Sequence, residues 1–178
     1  MVVFDTSVLL LALDPSTAPP LDPVTKTPLP RAIERVEHLI HQLAEEKQTI
    51  IIPTPVLTEI MVYAATAGVR WLQYFNGTAV FRIAPFDQRA AIEAAISIKD
   101  SLDRGGLRID ATDSGVSRGK VKFDRQIVAI AKVEGADAIY SDDDHIASIG
   151  KATGLRVHRT WELDLPPEDP QHSMKFDE

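Results

Sequence analysis

Residues 123–158, FDRQIVAIAKVEGADAIYSDDDHIASIGKATGLRVH, decide the fold class. Ile127, Val128 and Ala131 follow Asp124 at offsets of three, four and seven, one face of a helix running through FDRQIVAIAKVEG. DAIYS then reads as a buried strand, DDHIASIGKATG as a second helix and LRVH as a second strand. Strands that alternate with helices lie parallel, because a parallel neighbour needs a crossover long enough to hold a helix.

The alternation extends back to the start of the chain. Val2 to Phe4 read as a short buried strand, with Ser7 as the cap of a helix that Val8 begins. Residues 14–30, DPSTAPPLDPVTKTPLP, hold six of the twelve prolines and predict an extended, non-helical insertion. RAIERVEHLIHQLAEEK places Ile33, Val36, Leu39, Ile40 and Leu43 on one helical face, and TIIIP is a buried strand. In TPVLTEIMVYAATAG, Thr54 is the expected cap, Pro55 the first helical residue and Gly68 the stop. A short helix near residues 69–75 leads through Asn76-Gly77 to the strand AVFRIA, and Asp87 caps a helix reaching about Leu102. Residues 104–122 hold four of the nine glycines and read as a loop, and residues 166–178 as a polar tail. The expected architecture is one domain over residues 1–165, a three-layer α/β/α sandwich around a mainly parallel sheet.

Composition narrows the function. With 178 residues, 44% of them hydrophobic and 25% charged, the chain is an ordinary globular protein with room for one well-buried core. No apolar run approaches the roughly 18–20 residues that span a bilayer, and the first segment lacks the basic start and cleavage site of a signal peptide. We therefore expect no membrane partner and a cytoplasmic location. The chain has no cysteine, which excludes disulfides, thiolate metal sites and cysteine nucleophiles. Oxygen and imidazole remain as ligands. A net charge of −7 opposes a nucleic-acid partner unless the acids are neutralised locally.

The acids are placed unusually. Asp5 interrupts the apolar run MVVFDTSVLLLAL, and no cation lies near it in sequence, the first being Lys26. Glu59 lies beside Val56 and Tyr63 at the edge of an apolar helical face, and Asp124 leans toward the Ile127 face. Asp142, Asp143 and Asp144 follow the strand AIY. Singly, each has an ordinary reading: a strand-end cap, a half-buried surface acid, a dipole partner or a solvated helix start. In a parallel sheet, however, Asp5 and the SDDD run lie at carboxyl ends of strands, where ligands bind. Inward-leaning carboxylates at one edge repel one another, and their natural partner is a hard divalent cation.

These residues also carry a family resemblance. VVFDTSVLLLAL, TPVLTEI, FDRQIVAIAKVEGADAIYSDDDHI and GLRVH resemble, in order and spacing, the motifs of PIN-domain proteins, in particular the VapC-type ribonuclease toxins of toxin–antitoxin pairs. The match covers about residues 1–165. It implies an α/β/α sandwich that hydrolyses RNA with Mg²⁺ or Mn²⁺, with Asp5, Glu59, Asp124 and Asp143 as catalytic metal ligands and Asp142 assisting. Ser141 falls on the first position of the family's last motif, and Ser7 and Ser141 are expected to contact the substrate. An antitoxin partner and a homodimer are expected. Arg104, Arg108, Arg118, Lys120, Lys122 and Arg125 cluster around the presumed mouth; of these, Arg118, Lys120, Lys122 and Arg125 are expected to grip the phosphate backbone. A solvated loop is the alternative. Other functions compete: a PIN scaffold that binds partner or RNA without catalysis, and an aspartyl phosphotransferase, which needs a second Asp where Ser7 stands. His38 and His41 point away from their helix's apolar face, and His145 follows the acidic run, where an approach to the site is the less favoured reading.

Overall fold

The computed structural model describes residues 1–103, 105 and 118–167. Five strands, β1 (Val2–Phe4), β2 (Ile50–Pro53), β3 (Phe81–Ala84), β4 (Ala138–Tyr140) and β5 (Arg156–His158), form one sheet in the order β3-β2-β1-β4-β5. Every pairing is parallel. β1 and β2 are buried along their whole length, as apolar strands covered on both faces must be.

Among the described residues, seven helices make the crossovers: α1 (Thr6–Leu13), α2 (Ala32–Glu45), α3 (Thr54–Ala64), α4 (Gly68–Gly77), α5 (Gln88–Asp103), α6 (Arg118–Val133) and α7 (Asp144–Thr153). The chain winds outward from β1 to β2 to β3, then returns past β1 to β4 and β5. Right-handed crossovers place α1–α4 on one face and α5–α7 on the other. The helix contacts agree, with α1 against α2 and α3, and α6 against α5 and α7. This is an α/β sandwich, and its winding reverses between β1 and β4. At such a switch point the loops leaving the two strands diverge and open a crevice.

Local chemistry departs from the expectations in four places. Asp5, not Ser7, stands at the N-cap of α1, and Ser7 lies in the first turn. Thr54 is already helical, and its hydroxyl accepts from the Phe86 amide instead of capping. Gly68 does not stop α3. A 3₁₀ turn at Ala65–Ala67 passes into α4, where Gly68 keeps a helical φ of −55°. Its missing Cβ makes room for Met61, whose Cε would lie 2.9 Å away. Finally, α6 opens at Arg118, five residues before Phe123, so the last part of the expected loop is helix and Asp124 lies in its second turn. Residues 106–117 and 168–178, with Arg108 among them, lie outside the described residues, as does Arg104.

The proline-rich segment carries no helix. Leu21 and Pro28 form an antiparallel bridge, Asp22 accepts from the Val24 and Thr25 amides at 2.8 Å each, and Leu29 is buried in the core. Among the described residues, no helix is long and apolar enough to cross a membrane.

Candidate active site

β1 ends at Phe4 opposite Tyr140, the last residue of β4, so Asp5 and Ser141 leave the sheet side by side at the switch point. The Asp5 amide completes the ladder with a bond to the Tyr140 carbonyl at 3.0 Å. Its carboxylate, on a residue only 5% exposed, makes no capping bond to α1. Instead the hydroxyls of Ser141 and Ser7 both donate to Oδ2, at 2.7 and 3.0 Å. The direction of those bonds is set from behind. The Asp143 amide donates to Ser141 Oγ at 3.0 Å and the Asp142 amide to Ser7 Oγ at 3.1 Å, leaving each hydroxyl proton for Asp5. Ser7 and Ser141, expected at the substrate, therefore hold the first acid.

Burial pushes the Asp5 carboxyl up to about 6 from 3.8; the Ser141 hydroxyl, the Thr6 backbone amide and the Ser7 hydroxyl pull it down, and the nearby Glu59 charge pushes it further up. Among the described residues, no Lys, Arg or His forms an ion pair with Asp5 or Glu59. Glu59 projects half-buried from α3, and Thr6 Oγ1 donates to its Oε2. Among the described residues, these two neighbouring carboxylates are answered by the hydroxyls of Ser7, Ser141 and Thr6 and by the Thr6 backbone amide, all neutral donors.

The other two acids are answered differently. Asp124 is 4% exposed on α6, and its Oδ2 lies 2.7 Å from Nδ1 of His145 on α7. Asp143 caps α7, its Oδ1 accepting from the amides of His145 at 2.7 Å and Ile146 at 3.3 Å. The mutual repulsion expected of four crowded acids is therefore relieved largely by local donors. Asp142 is turned elsewhere: Oδ1 accepts from the Thr160 amide at 2.8 Å and Oδ2 from the Thr160 hydroxyl at 2.7 Å. Both oxygens of Asp142, expected to assist at the metal, tie β5's exit to the site. Asp144 points outward to Arg159 at 2.8 Å.

Of the basic residues expected at the mouth, Lys122 is exposed on α6. Arg125 is half-buried, with Nε shut from solvent and without a hydrogen-bond partner among the described residues. Arg118 and Lys120 open α6, their side chains outside the described part of the structure. Thr6 and Thr160 are the participants that sequence reasoning did not assign, and His145, whose approach to the site was the less favoured reading, meets Asp124. A histidine two residues past Asp143 carries no sign that its ring meets α6, and the two threonines make contacts across distant segments.

Do these residues suit a divalent metal? Among the described residues, no three His, Asp or Glu side chains converge closely enough to hold an ion by themselves. Mg²⁺ does not require that, since it keeps several waters and takes one or two carboxylates together with substrate phosphates. Asp5 and Glu59 supply hard oxygen donors and a buried negative charge without a protein cation, so the donor set fits such an ion in kind.

No protein-family model and no curated protein matches the sequence. Solved structures do. The chain resembles VapBC2 from Rickettsia felis, determined bound to a DNA fragment from their promoter, with a TM-score of 0.60 at 14% identity over 89% of this chain and 98% of that one. It also resembles DNA-bound VapBC from Salmonella typhimurium, with a TM-score of 0.58 at 15% identity over 89% and 97% of the two chains. Identity this low speaks to architecture alone. Together with the five parallel strands and the switch point between β1 and β4, it shows that the chain has the VapC-like PIN fold.

Proposed function

We propose that this protein is a Mg²⁺- or Mn²⁺-dependent endoribonuclease, the toxin of a toxin–antitoxin pair. The observation that carries the reading is Asp5, a buried carboxylate at the switch point, raised to about 6 and partnered by hydroxyls rather than by a cation. Such a charge is costly unless a ligand repays it.

In this reading Asp5, Glu59, Asp124 and Asp143 hold the ion and its waters. When bound, the ion polarises a phosphoryl oxygen and lowers the pKa of a water beside the scissile phosphate. The chain's own work is positioning. Ser7 and Ser141 meet Asp5 at Oδ2 and the Thr6 amide also donates to this carboxylate, which fixes its orientation. Thr6 steadies Glu59 in the same way. Arg118, Lys120, Lys122 and Arg125 hold the RNA backbone through their positive charge. An antitoxin partner follows by analogy with the VapBC assemblies.

The test is cleavage of RNA by the purified chain with Mg²⁺ or Mn²⁺ and with EDTA. Cleavage confined to the metal-containing reactions is the expected result, and full activity in EDTA would end the metal reading. The closed Asp124–His145 and Glu59–Thr6 contacts favour a second reading, a PIN scaffold that binds without cutting. RNA bound but uncut in Mn²⁺ would select it.

A further inference from the structure

His145 ties the third and fourth acids together. Its backbone amide donates to Asp143 Oδ1 at 2.7 Å, and its ring Nδ1 lies 2.7 Å from Asp124 Oδ2. The first contact belongs to the loop between β4 and α7 and the second to α6, so one residue joins two elements that approach the site separately. A carboxylate can only accept, so the proton of this hydrogen bond lies on Nδ1. Among the described residues, it is the one hydrogen bond made to the Asp124 carboxylate, which is buried to 4% exposure.

We infer that His145 is a positioning residue for the divalent ion, acting through Asp124. The inference rests on the metal-dependent reading above. With Oδ2 engaged by Nδ1–H, the carboxylate rotamer is set and Oδ1 carries no protein hydrogen bond among the described residues. Without the donor, a buried carboxylate loses its compensation, and turning toward another donor or taking up a proton both remove it as a ligand. Partners that orient a metal ligand from behind typically change affinity about 10–100-fold when removed.

The experiment measures Mn²⁺ binding to the full chain by the loss of the free-ion EPR signal, for wild type, His145→Ala and His145→Asn. The Asn amide nitrogen stands close to the position of Nδ1 and returns the donor without the ring. His145→Ala is expected to bind Mn²⁺ about 10–100-fold more weakly, and His145→Asn to recover most of the loss. Unchanged or tighter binding by His145→Ala overturns the inference, and so does equal weakening in both variants, since the donor would not then be what matters. Should His145→Ala fail to fold, His145→Asn decides alone: near-wild-type affinity supports the inference, and affinity lowered tenfold or more overturns it. Wild type that binds no Mn²⁺ ends the metal-dependent reading and this inference together, whereas wild-type binding that His145→Ala leaves intact removes only the role of His145.

Discussion

The two halves of the site handle negative charge in different ways. Around Asp5 and Glu59, the donors are the neutral hydroxyls of Ser7, Ser141 and Thr6, with the Thr6 amide added at Asp5. Around Asp124 and Asp143, they are an imidazole and the amides that open α7. A hydroxyl orients a carboxylate but brings no full charge, so burial of Asp5 is left uncompensated and its carboxyl rises to about 6. In the second half, the start of a helix offers several aligned amides and a favourable dipole. The difference teaches that the ligand-hungry part of this fold is its central strand, while the flanking helices arrive already paired.

The largest test of that comparison is Asp5→Asn. We expect RNA cleavage to fall by about a thousandfold, roughly 4 kcal/mol of transition-state stabilisation. Stability should move the other way. A folded value of about 6 above the ordinary 3.8 means that the folded chain keeps a proton which the unfolded chain has released. Asp5's contribution to stability in EDTA is therefore fully present below about pH 4 and is lost as pH rises through about 6, by roughly 3 kcal/mol. Asp5→Asn should lack this loss, melting above wild type at pH 7 and level with it near pH 4. A flat wild-type profile between pH 4 and 7 would erase the contrast between the halves.

A smaller effect is expected at Ser141, which is fully buried. Ser141→Ala removes a donor to Asp5 and an acceptor from the Asp143 amide, at a cost of about 1–3 kcal/mol at pH 7. The cost should shrink near pH 4, where Asp5 is protonated. Chemical denaturation at the two pH values reads this directly, and equal losses at both would mean that the hydroxyl does not serve the charged carboxylate.

Asp142→Ala probes the tie to β5. Losing both bonds to Thr160 should cost about 1–2 kcal/mol, with the same loss at pH 4.5 and pH 7 if Asp142 stays apart from the Asp5 network. A pH-dependent loss would join the two.

The smallest expected effect is at exposed Lys122. Lys122→Ala should weaken RNA binding modestly and reduce the magnitude of the salt slope by about one. An unchanged slope would leave this residue as part of a solvated helix face.

Much of this was legible in the sequence because it depends on local periodicity. The run from Phe123 to His158 shows its helices by the spacing of Ile127, Val128 and Ala131 and its strands by short apolar segments. Proline at residues 14–30 precludes a regular helix there, whatever surrounds it. The exception is Gly68: glycine favours a helix stop on intrinsic grounds, yet here it keeps a helical φ and gives room to Met61.

The candidate site divides along that line. Asp5, Glu59 and Asp124 were marked by polar residues in or beside apolar patterns, a one-dimensional signal that survives folding because burial of a charge is costly wherever it occurs. What each carboxylate touches was not marked. Asp142 and Asp143 are adjacent in sequence, yet one is spent on Thr160 and the other opens α7. His145 meets an acid on the preceding helix, and two serines converge on one oxygen of Asp5 from different strand ends. The sequence by itself determined the order of strands and helices and the acids that would be buried, since both follow from spacing and transfer energy along the chain. Only the tertiary structure decided the partners, because a hydrogen bond is chosen within a few tenths of an ångström by register, rotamer and competing donors, none of which spacing records.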